Sequence, residues 1–259
     1  MEASLLIRMV VTDLDDTLLS DAKTISRRNL AVLKACRDKG IKVLYATGRG
    51  ASAKKLAPDE HFDACISMNG AIARIADRVV YSRLVPYLLA RPLLIASTTK
   101  GLRTASQAEG VHFSNFDINE AWPGIGPHRL VDFRTHDKDA EKLYMLVSTP
   151  DDIAFIESHL PPELYLTVSR DGLAQVMHKE ATKAQAVAAL ATLWGIEPSE
   201  IVAFGDDRND LDLLSYAGIG VAMANAVDAV KEAADQITAT NEEDGVAVWL
   251  EEHVLTTTP

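Results

Sequence analysis

The apolar run Met9-Val10-Val11 passes directly into Thr12-Asp13-Leu14-Asp15-Asp16-Thr17. A short β-branched segment of this kind reads as a buried strand, and this one ends in a dense cluster of carboxylates. Such a strand suits an open α/β sheet, in which ligands bind at the edge where the strands end. Residues i and i+2 of a strand project to one side, so the spacing predicts that Asp13 and Asp15 converge just past the strand end. Neighbouring carboxylates repel unless a proton or a cation compensates. A divalent metal with oxygen ligands does so, and Mg2+ suits a site of few carboxylates completed by phosphate oxygens. A calcium loop does not fit, because Leu18 takes the required glycine position and Thr24 the terminal glutamate position. Paired aspartates also serve as turn and cap residues, so the other strand ends decide between the readings.

With 259 residues the chain can bury a full core, as one large domain or two modest ones. A formal net charge of −11 argues against nucleic acid or an anionic membrane as the main partner. It does not exclude anionic substrates, since a metal and a few aimed cations reverse the field locally. Cys36 and Cys65 are the only cysteines and form no close-spaced pair, which speaks against a zinc site or disulfide framework. Reduced, buried thiols of a cytoplasmic protein are expected instead. The opening MEASLLIRMVVTD has too short an apolar stretch for a signal peptide. The most apolar later segment, residues 84–96, is interrupted by Pro86, Arg91 and Pro92, so no membrane span is expected.

Along the chain, a helix is predicted near residues 27–38, with Ser26 as N-cap and Gly40 just past its end. Ile41–Thr47 reads as a second buried strand ending in ATGR, and Ala64–Met68 as a third, followed by an Asn69-Gly70 turn. This strand–helix alternation predicts a parallel, doubly wound sheet. The pattern changes near residue 82. Residues 83–178 carry strand candidates at 102–105, 111–116, 143–148, 164–169 and 173–178, a helix at 151–159, and a loop at 117–128 above Trp122. They read as an inserted α+β domain. From Thr182 the alternation resumes: a helix over 183–194 stopped by Gly195, the strand Ile201–Phe204 entering GDDRND, and the strand Ile219–Met223. Asn225 is expected to cap another helix, and a last helix follows Asp244-Gly245. The TTTP tail at 256–259 is expected to fray.

Four segments thus fall at strand ends or helix starts: DLDDT at 13–17, TGR at 47–49, Lys183, and GDDRND at 205–210. Singly, Thr47 reads as a cap, Lys183 as a surface lysine and Asp206 as a loop residue; their joint order reads otherwise. The set resembles the haloacid dehalogenase-like phosphohydrolases, in particular the Cof-type sugar-phosphatase branch with a large α/β cap. Asp13, Asp15 and Thr17 match the first motif, Thr47 the second, Lys183 the third, and Gly205, Asp206, Asn209 and Asp210 the fourth. MNGA at 68–71, AGIGVAMANA at 217–226 and EDGVA at 243–247 extend the likeness to both flanks of the insertion. Asp16, Ala184, Ala224 and Glu180-Ala181 depart from frequent family residues, without removing a group that touches phosphate or metal.

The resemblance implies an α/β fold with a doubly wound, Rossmann-like core at 1–82 plus 179–259 and an inserted cap at 83–178. It implies a Mg2+-dependent hydrolase acting on a small phosphorylated metabolite through an aspartyl phosphate. Asp13 would be the nucleophile, and Asp15 the acid and base, for which its pKa must lie above the ordinary value of about 3.9. Asp13, the main-chain carbonyl of Asp15, Asp206 and Asp210 would serve the metal, Asp210 directly or through water. Thr47, Gly48, Lys183 and Asn209 would hold phosphoryl oxygens. A lysine placed for chemistry is expected to add little to stability. Arg103, His112, His128, Arg129, Arg134, Arg170 and His178 of the insertion are candidates for reading hydroxyls or carboxylates.

Other readings stay open at this point. A phosphomutase of the same superfamily, similar to phosphomannomutases, would pass the phosphoryl group to a sugar instead of water. GRGASA at 48–53 partly matches a dinucleotide fingerprint and would make the chain a nicotinamide-dependent oxidoreductase, though no acid ends the next strand. A non-catalytic binding protein is opposed by the intact Asp13, Asp15, Lys183 and Asp206. The sequence specifies no oligomeric state.

Overall fold

The computed structural model describes residues 6–50, 52–169 and 172–256. Ala51 of the GRGASA segment, Arg170, the first five residues and the last three of the TTTP tail lie outside the described residues. The chain divides into two compact units, Met1–Ser82 with Thr182–Pro259, and Arg83–Ala181.

The first unit opens with β1 (Met9–Thr12), α1 (Arg27–Asp38), β2 (Lys42–Ala46), α2 (Ala53–Leu56), β3 (Ala64–Ser67), β4 (Ile72–Ile75) and β5 (Arg78–Ser82). The second unit holds α3 (Tyr87–Lys100), β6 (Arg103–Ala108), β7 (Val111–Ser114), β8 (His128–Leu130), β9 (Lys142–Leu146), α4 (Pro150–Ser158), β10 (Leu164–Val168) and β11 (Leu173–His178). The chain then re-enters the first unit with α5 (Lys183–Trp194), β12 (Ile201–Gly205), α6 (Leu211–Tyr216), β13 (Ile219–Ala222), α7 (Asp228–Ala233), β14 (Gln236–Ile237) and α8 (Gly245–Leu250).

In the first unit the strand order is β14-β13-β12-β1-β2-β3-β4-β5. β1 lies between β12 and β2 and is parallel to both, with Met9 opposite Ile201 and Lys42. Met9, Val10 and Val11 are fully buried, as are Val43 and Leu44 of β2 and Val202 and Phe204 of β12. Each such side chain contributes roughly 1.5–3 kcal/mol by leaving water. The parallel reading holds from β14 to β3 and stops there: β4 and β5 form an antiparallel hairpin on that edge. Their side chains are largely half-buried or exposed, so the apolar run that marks the inner strands is missing from the sequence.

The local signals act as read at most helix ends. Ser26 Oγ accepts from the Asn29 N–H at 3.0 Å, and Val32, Leu33 and Cys36 turn inward. Thr182 caps α5 by accepting from the Gln185 N–H, and Gly195 in the left-handed conformation closes it. Cys36 and Cys65 are both buried. Asn225 is a correction. It caps no helix; its amide donates to the Asp16 carbonyl at 2.7 Å and accepts from the Asn241 N–H at 3.0 Å, tying two loops together.

The second unit is a six-stranded sheet, β10-β11-β9-β6-β7-β8, antiparallel except at β7–β8. Successive residues of β9 serve opposite faces: Leu143 and Met145 pack with Leu93, Leu94 and Ile156, whereas Tyr144 packs with Ala105, Ile118 and Trp122. Helix α3 was not read from the sequence, because Pro86 and Pro92 suggest a broken segment. Pro86 stands at its N-cap, and an interior proline such as Pro92 costs about 3 kcal/mol, which burial of Ala90, Leu93 and Leu94 offsets. The unit runs on to Ala181, past 178, and the Lys179 N–H still donates to the Glu163 carbonyl at 2.8 Å. Of the candidate readers here, His112 is buried against the Tyr144 hydroxyl at 2.6 Å. Burial, with Lys142 and His128 nearby, pushes its pKa down to about 4, which leaves it neutral. Arg103 reaches Glu120 and stacks over Phe116, Arg134 reaches Asp132, and His178 accepts from the Glu180 N–H. His128 meets Asn119 at 3.1 Å, and Arg129 is exposed.

Candidate active site

Three strand ends of the first unit meet side by side. The Asp13 N–H continues the β1–β12 ladder by donating to the Phe204 carbonyl at 3.0 Å, and the Thr47 N–H continues β2–β3 by donating to the Ile66 carbonyl at 2.9 Å. Asp206 follows Gly205, the last residue of β12. From β1 the chain moves to β2 on one side, and after the second unit it returns to β12 on the other. Such a reversal of strand order opens a crevice beyond the strand ends.

Beside those strand ends is a buried charge cluster. Lys183, with a fully buried side chain, donates from Nζ to Asp13 Oδ1 at 2.6 Å and to Asp210 Oδ1 at 2.5 Å. Asp210, also fully buried, uses its other oxygen to accept from the Asp206 and Asp207 N–H groups at 3.0 and 3.1 Å. Thr17 donates to Asp206 Oδ1 at 2.6 Å. Carboxylate oxygens of Asp13, Asp206 and Asp210 lie within 4.8 Å of one another. Gly205 has no room for a side chain, since a Cβ there would stand 2.5 Å from that of Asp210.

Three carboxylates around one ammonium leave negative charge uncompensated, and the titration behaviour reflects it. Burial pushes Asp13 up to about 7 against the pull of Lys183, with Asp210 and Asp206 adding to the push. Burial pushes Asp206 up to about 7 as well, partly opposed by the Thr17 hydroxyl. Burial alone would lower Lys183, but Asp13 and Asp210 hold its ammonium well above the usual lysine range. An all-oxygen donor set with surplus negative charge fits a hard divalent cation.

Asp15 is held by a different set of partners from Asp13. The strand ends at Thr12, and beyond it the chain bends through Asp15 into a left-handed Asp16 (φ 57°). Arg49 grips the Asp15 carboxylate with both arms of its guanidinium, Nε to Oδ2 at 2.5 Å and Nη2 to Oδ1 at 2.7 Å, and Lys23 approaches at 3.1 Å. The Arg49 fork, against some desolvation and with help from Lys23, holds Asp15 below the usual carboxylate range. An acid role requires the opposite direction. That expectation is therefore corrected for the substrate-free protein: Asp15 is ionised and bidentately held.

Thr47 is buried, with Oγ1 accepting from the Arg49 N–H at 3.2 Å. Gly48 lies against the Asn69 carboxamide, and Asn209, which is exposed, donates to Asn69 Oδ1 at 3.0 Å. The structure thus brings Asp13, Lys183, Asp206 and Asp210 into direct or near contact, and joins Gly48 to Asn209 through Asn69, read from the sequence as a turn residue within MNGA but given no role in the site. Arg49 and Asn69 were missed as site residues; their positions in ATGR and MNGA were the available signals. GRGASA opens only onto the four-residue α2, too short for the helix a dinucleotide pyrophosphate needs.

Residues 10–250 match the family described as haloacid dehalogenase-like hydrolases. A Bacillus subtilis protein named 5-amino-6-(5-phospho-D-ribitylamino)uracil phosphatase YitU is 29% identical, over 95% of this chain and 97% of its own length. A Haemophilus influenzae protein is 50% identical over 91 residues, which is 35% of each chain. Among solved structures, the HAD subclass IIB sugar phosphatase BT4131 superposes with a TM-score of 0.79 at 25% identity, covering 95% of this chain and 98% of that one. Among the described residues, no helix is long and apolar enough to cross a membrane.

Proposed function

The chain belongs to the haloacid dehalogenase-like hydrolase family, and on that premise we propose that it is a Mg2+-dependent phosphatase that releases phosphate from small phosphomonoesters, sugar phosphates foremost. The observation that carries this reading is the contact of the buried Lys183 ammonium with Asp13, beside the carboxylate of Asp206. The names of the relatives, a phospho-ribitylaminouracil phosphatase and a sugar phosphatase, support a small phosphoester as substrate, and neither is an oxidoreductase.

Asp13 attacks phosphorus, its approach to an anionic phosphate eased by the Lys183 cation. Once released by Arg49, Asp15 takes up a proton from solvent and gives it to the leaving oxygen, and water deprotonated by Asp15 then opens the aspartyl phosphate, which releases inorganic phosphate and restores Asp13. For the acid step Arg49 has to yield its grip, and the substrate's own anionic group is the competitor for that guanidinium. Thr47, the Gly48 N–H, Lys183 and Asn209 bind the phosphoryl oxygens, where charge spreads in a loose transition state. Asp13, the Asp15 carbonyl and Asp206 would hold Mg2+, with Asp210 supporting them from behind, its own oxygens engaged by Lys183 and two N–H groups. The bound ion would act as Lewis acid toward the phosphoryl group. The unit Arg83–Ala181 takes the role of the substrate-selecting cap, supported by its insertion between the motif at Thr47 and Lys183. Substitutions within it should change which phosphoester is preferred; preferences that never shift would remove that role.

Two measurements test the reading. A panel of phosphorylated metabolites with free-phosphate detection should give turnover that a chelator abolishes and Mg2+ restores; no release from any member would overturn it. The second is calorimetric. Asp13 and Asp206 titrate at about 7 in the folded chain, above the ordinary carboxylate value of about 3.9. Groups raised in this way favour folding at low pH, and the contribution is lost as pH rises through about 7. Mg2+ replaces those protons, so it should raise Tm clearly at about pH 8 and much less at about pH 5. Equal rises at both values would exclude these carboxylates as the ligands.

A further inference from the structure

The turn Met68-Asn69-Gly70 carries backbone strain that its own strand does not require. Met68 (φ 51°) and Asn69 (φ 50°) are consecutive left-handed residues, and only the third, Gly70 (φ 104°), is a glycine. Such conformations cost roughly 1–2 kcal/mol per residue with a Cβ, somewhat less for asparagine, and they cluster where geometry serves a site. Gly70 cannot be replaced here, because a Cβ would stand 2.0 Å from the Thr182 carbonyl at the cap of α5. The turn is therefore pressed against the helix start that delivers Lys183.

Asn69 connects the remaining parts. Its N–H donates to the Thr47 carbonyl at 2.9 Å, and the Met68 N–H donates to the Arg49 carbonyl at 3.0 Å, so the turn is pinned to the TGR loop. Its side-chain oxygen accepts from Asn209 Nδ2 at 3.0 Å, and a Cβ on Gly48 would come within 2.9 Å of that same oxygen. Asn209 is exposed and has no other side-chain partner among the described residues. Taking one of its two amide hydrogens fixes the plane of the Asn209 carboxamide and leaves the second hydrogen for a ligand.

We infer that Asn69 is a positioning residue of the phosphoryl site: pinned to the TGR loop, it fixes the orientation of the Asn209 amide, and the strained turn is maintained for that purpose. The inference rests on the phosphatase reading. Its mode of action is pre-organisation of a hydrogen-bond donor.

The test is Asn69→Gly, which accepts the left-handed backbone without steric strain and removes the side chain with its carboxamide. We expect it to unfold at no lower temperature than wild type, while kcat/KM for the best substrate of the panel falls on the order of 10-fold or more, mainly in kcat. Asn69→Gly combined with Asn209→Ala should be no worse than Asn209→Ala alone, because the first residue acts through the second. Ala76→Gly is the control: Ala76 is likewise left-handed (φ 51°) and is exposed in the β4–β5 turn, so relief there should leave kcat/KM unchanged. Retained kcat/KM in Asn69→Gly, additive losses in the double variant, or a lowered unfolding temperature would each overturn the inference. Wild-type protein inert on every phosphoester would instead remove the phosphatase reading. In that case the cycle is read from the Tm shift given by inorganic phosphate with Mg2+, which Asn69→Gly should diminish; an undiminished shift overturns the inference there too.

Discussion

Asn in place of Asp13 is expected to cut turnover by about 10³-fold or more while the protein stays folded. The carboxamide keeps nearly the same volume and an oxygen that can still accept from Lys183 Nζ, now 2.6 Å away. It lacks the charge and nucleophilicity needed to form the acyl phosphate. Removing one of three crowded carboxylates also relieves repulsion in a site whose burial already pushes Asp13 up to about 7. Tm in the absence of metal should therefore hold or rise, a common outcome when a functional charge is removed. The rapid-quench experiment is direct: wild-type protein mixed with substrate and acid-quenched should carry one phosphoryl group on the peptide containing Asp13, and Asp13→Asn should carry none. Wild-type turnover in the variant would end the assignment of Asp13 as nucleophile.

Lys183→Ala should damage both activity and stability. For activity, loss of a cation that touches the transferring group is worth on the order of 10²-fold or more in kcat/KM. For stability, the sequence-level expectation of little change is overturned by the burial of this lysine. Its side chain is fully enclosed between Asp13 and Asp210. Removing one partner of a buried ion pair strands the other charge and typically costs about 3–5 kcal/mol; here two carboxylates are stranded. The deficit has a pH signature. Asp13 is already raised to about 7 with Lys183 present, and without the cation it moves further up, so acidification neutralises it. The Tm gap between Lys183→Ala and wild type should narrow as pH falls from about 8 to about 5. Lys179→Ala is the control, since Lys179 is exposed in the second unit. Matching kinetic and thermal effects at the two lysines would show that Lys183 has no special role.

The sequence by itself determined the pieces that local chemistry encodes. A β-branched run ending in carboxylates, Ser26 and Thr182 as caps, Gly195 as a stop and the return of strand–helix alternation after the insertion all rest on contacts within a few residues. They were enough to set Asp13, Thr47 and Asp206 at neighbouring strand ends. The β4–β5 hairpin and α3 escaped because burial against distant elements outweighs a weak or proline-broken local pattern.

Which groups each candidate site residue meets was decided only in three dimensions. Lys183 meets Asp13 across 170 residues of chain, Arg49 meets Asp15 across 34, and Asn209 meets Asn69 across 140. A carboxylate's pKa depends on how much water it loses and which charges stand within a few ångströms, and both are properties of the packed chain. Two aspartates two residues apart therefore diverge, Asp13 pushed up by burial among carboxylates and Asp15 held down by an arginine fork.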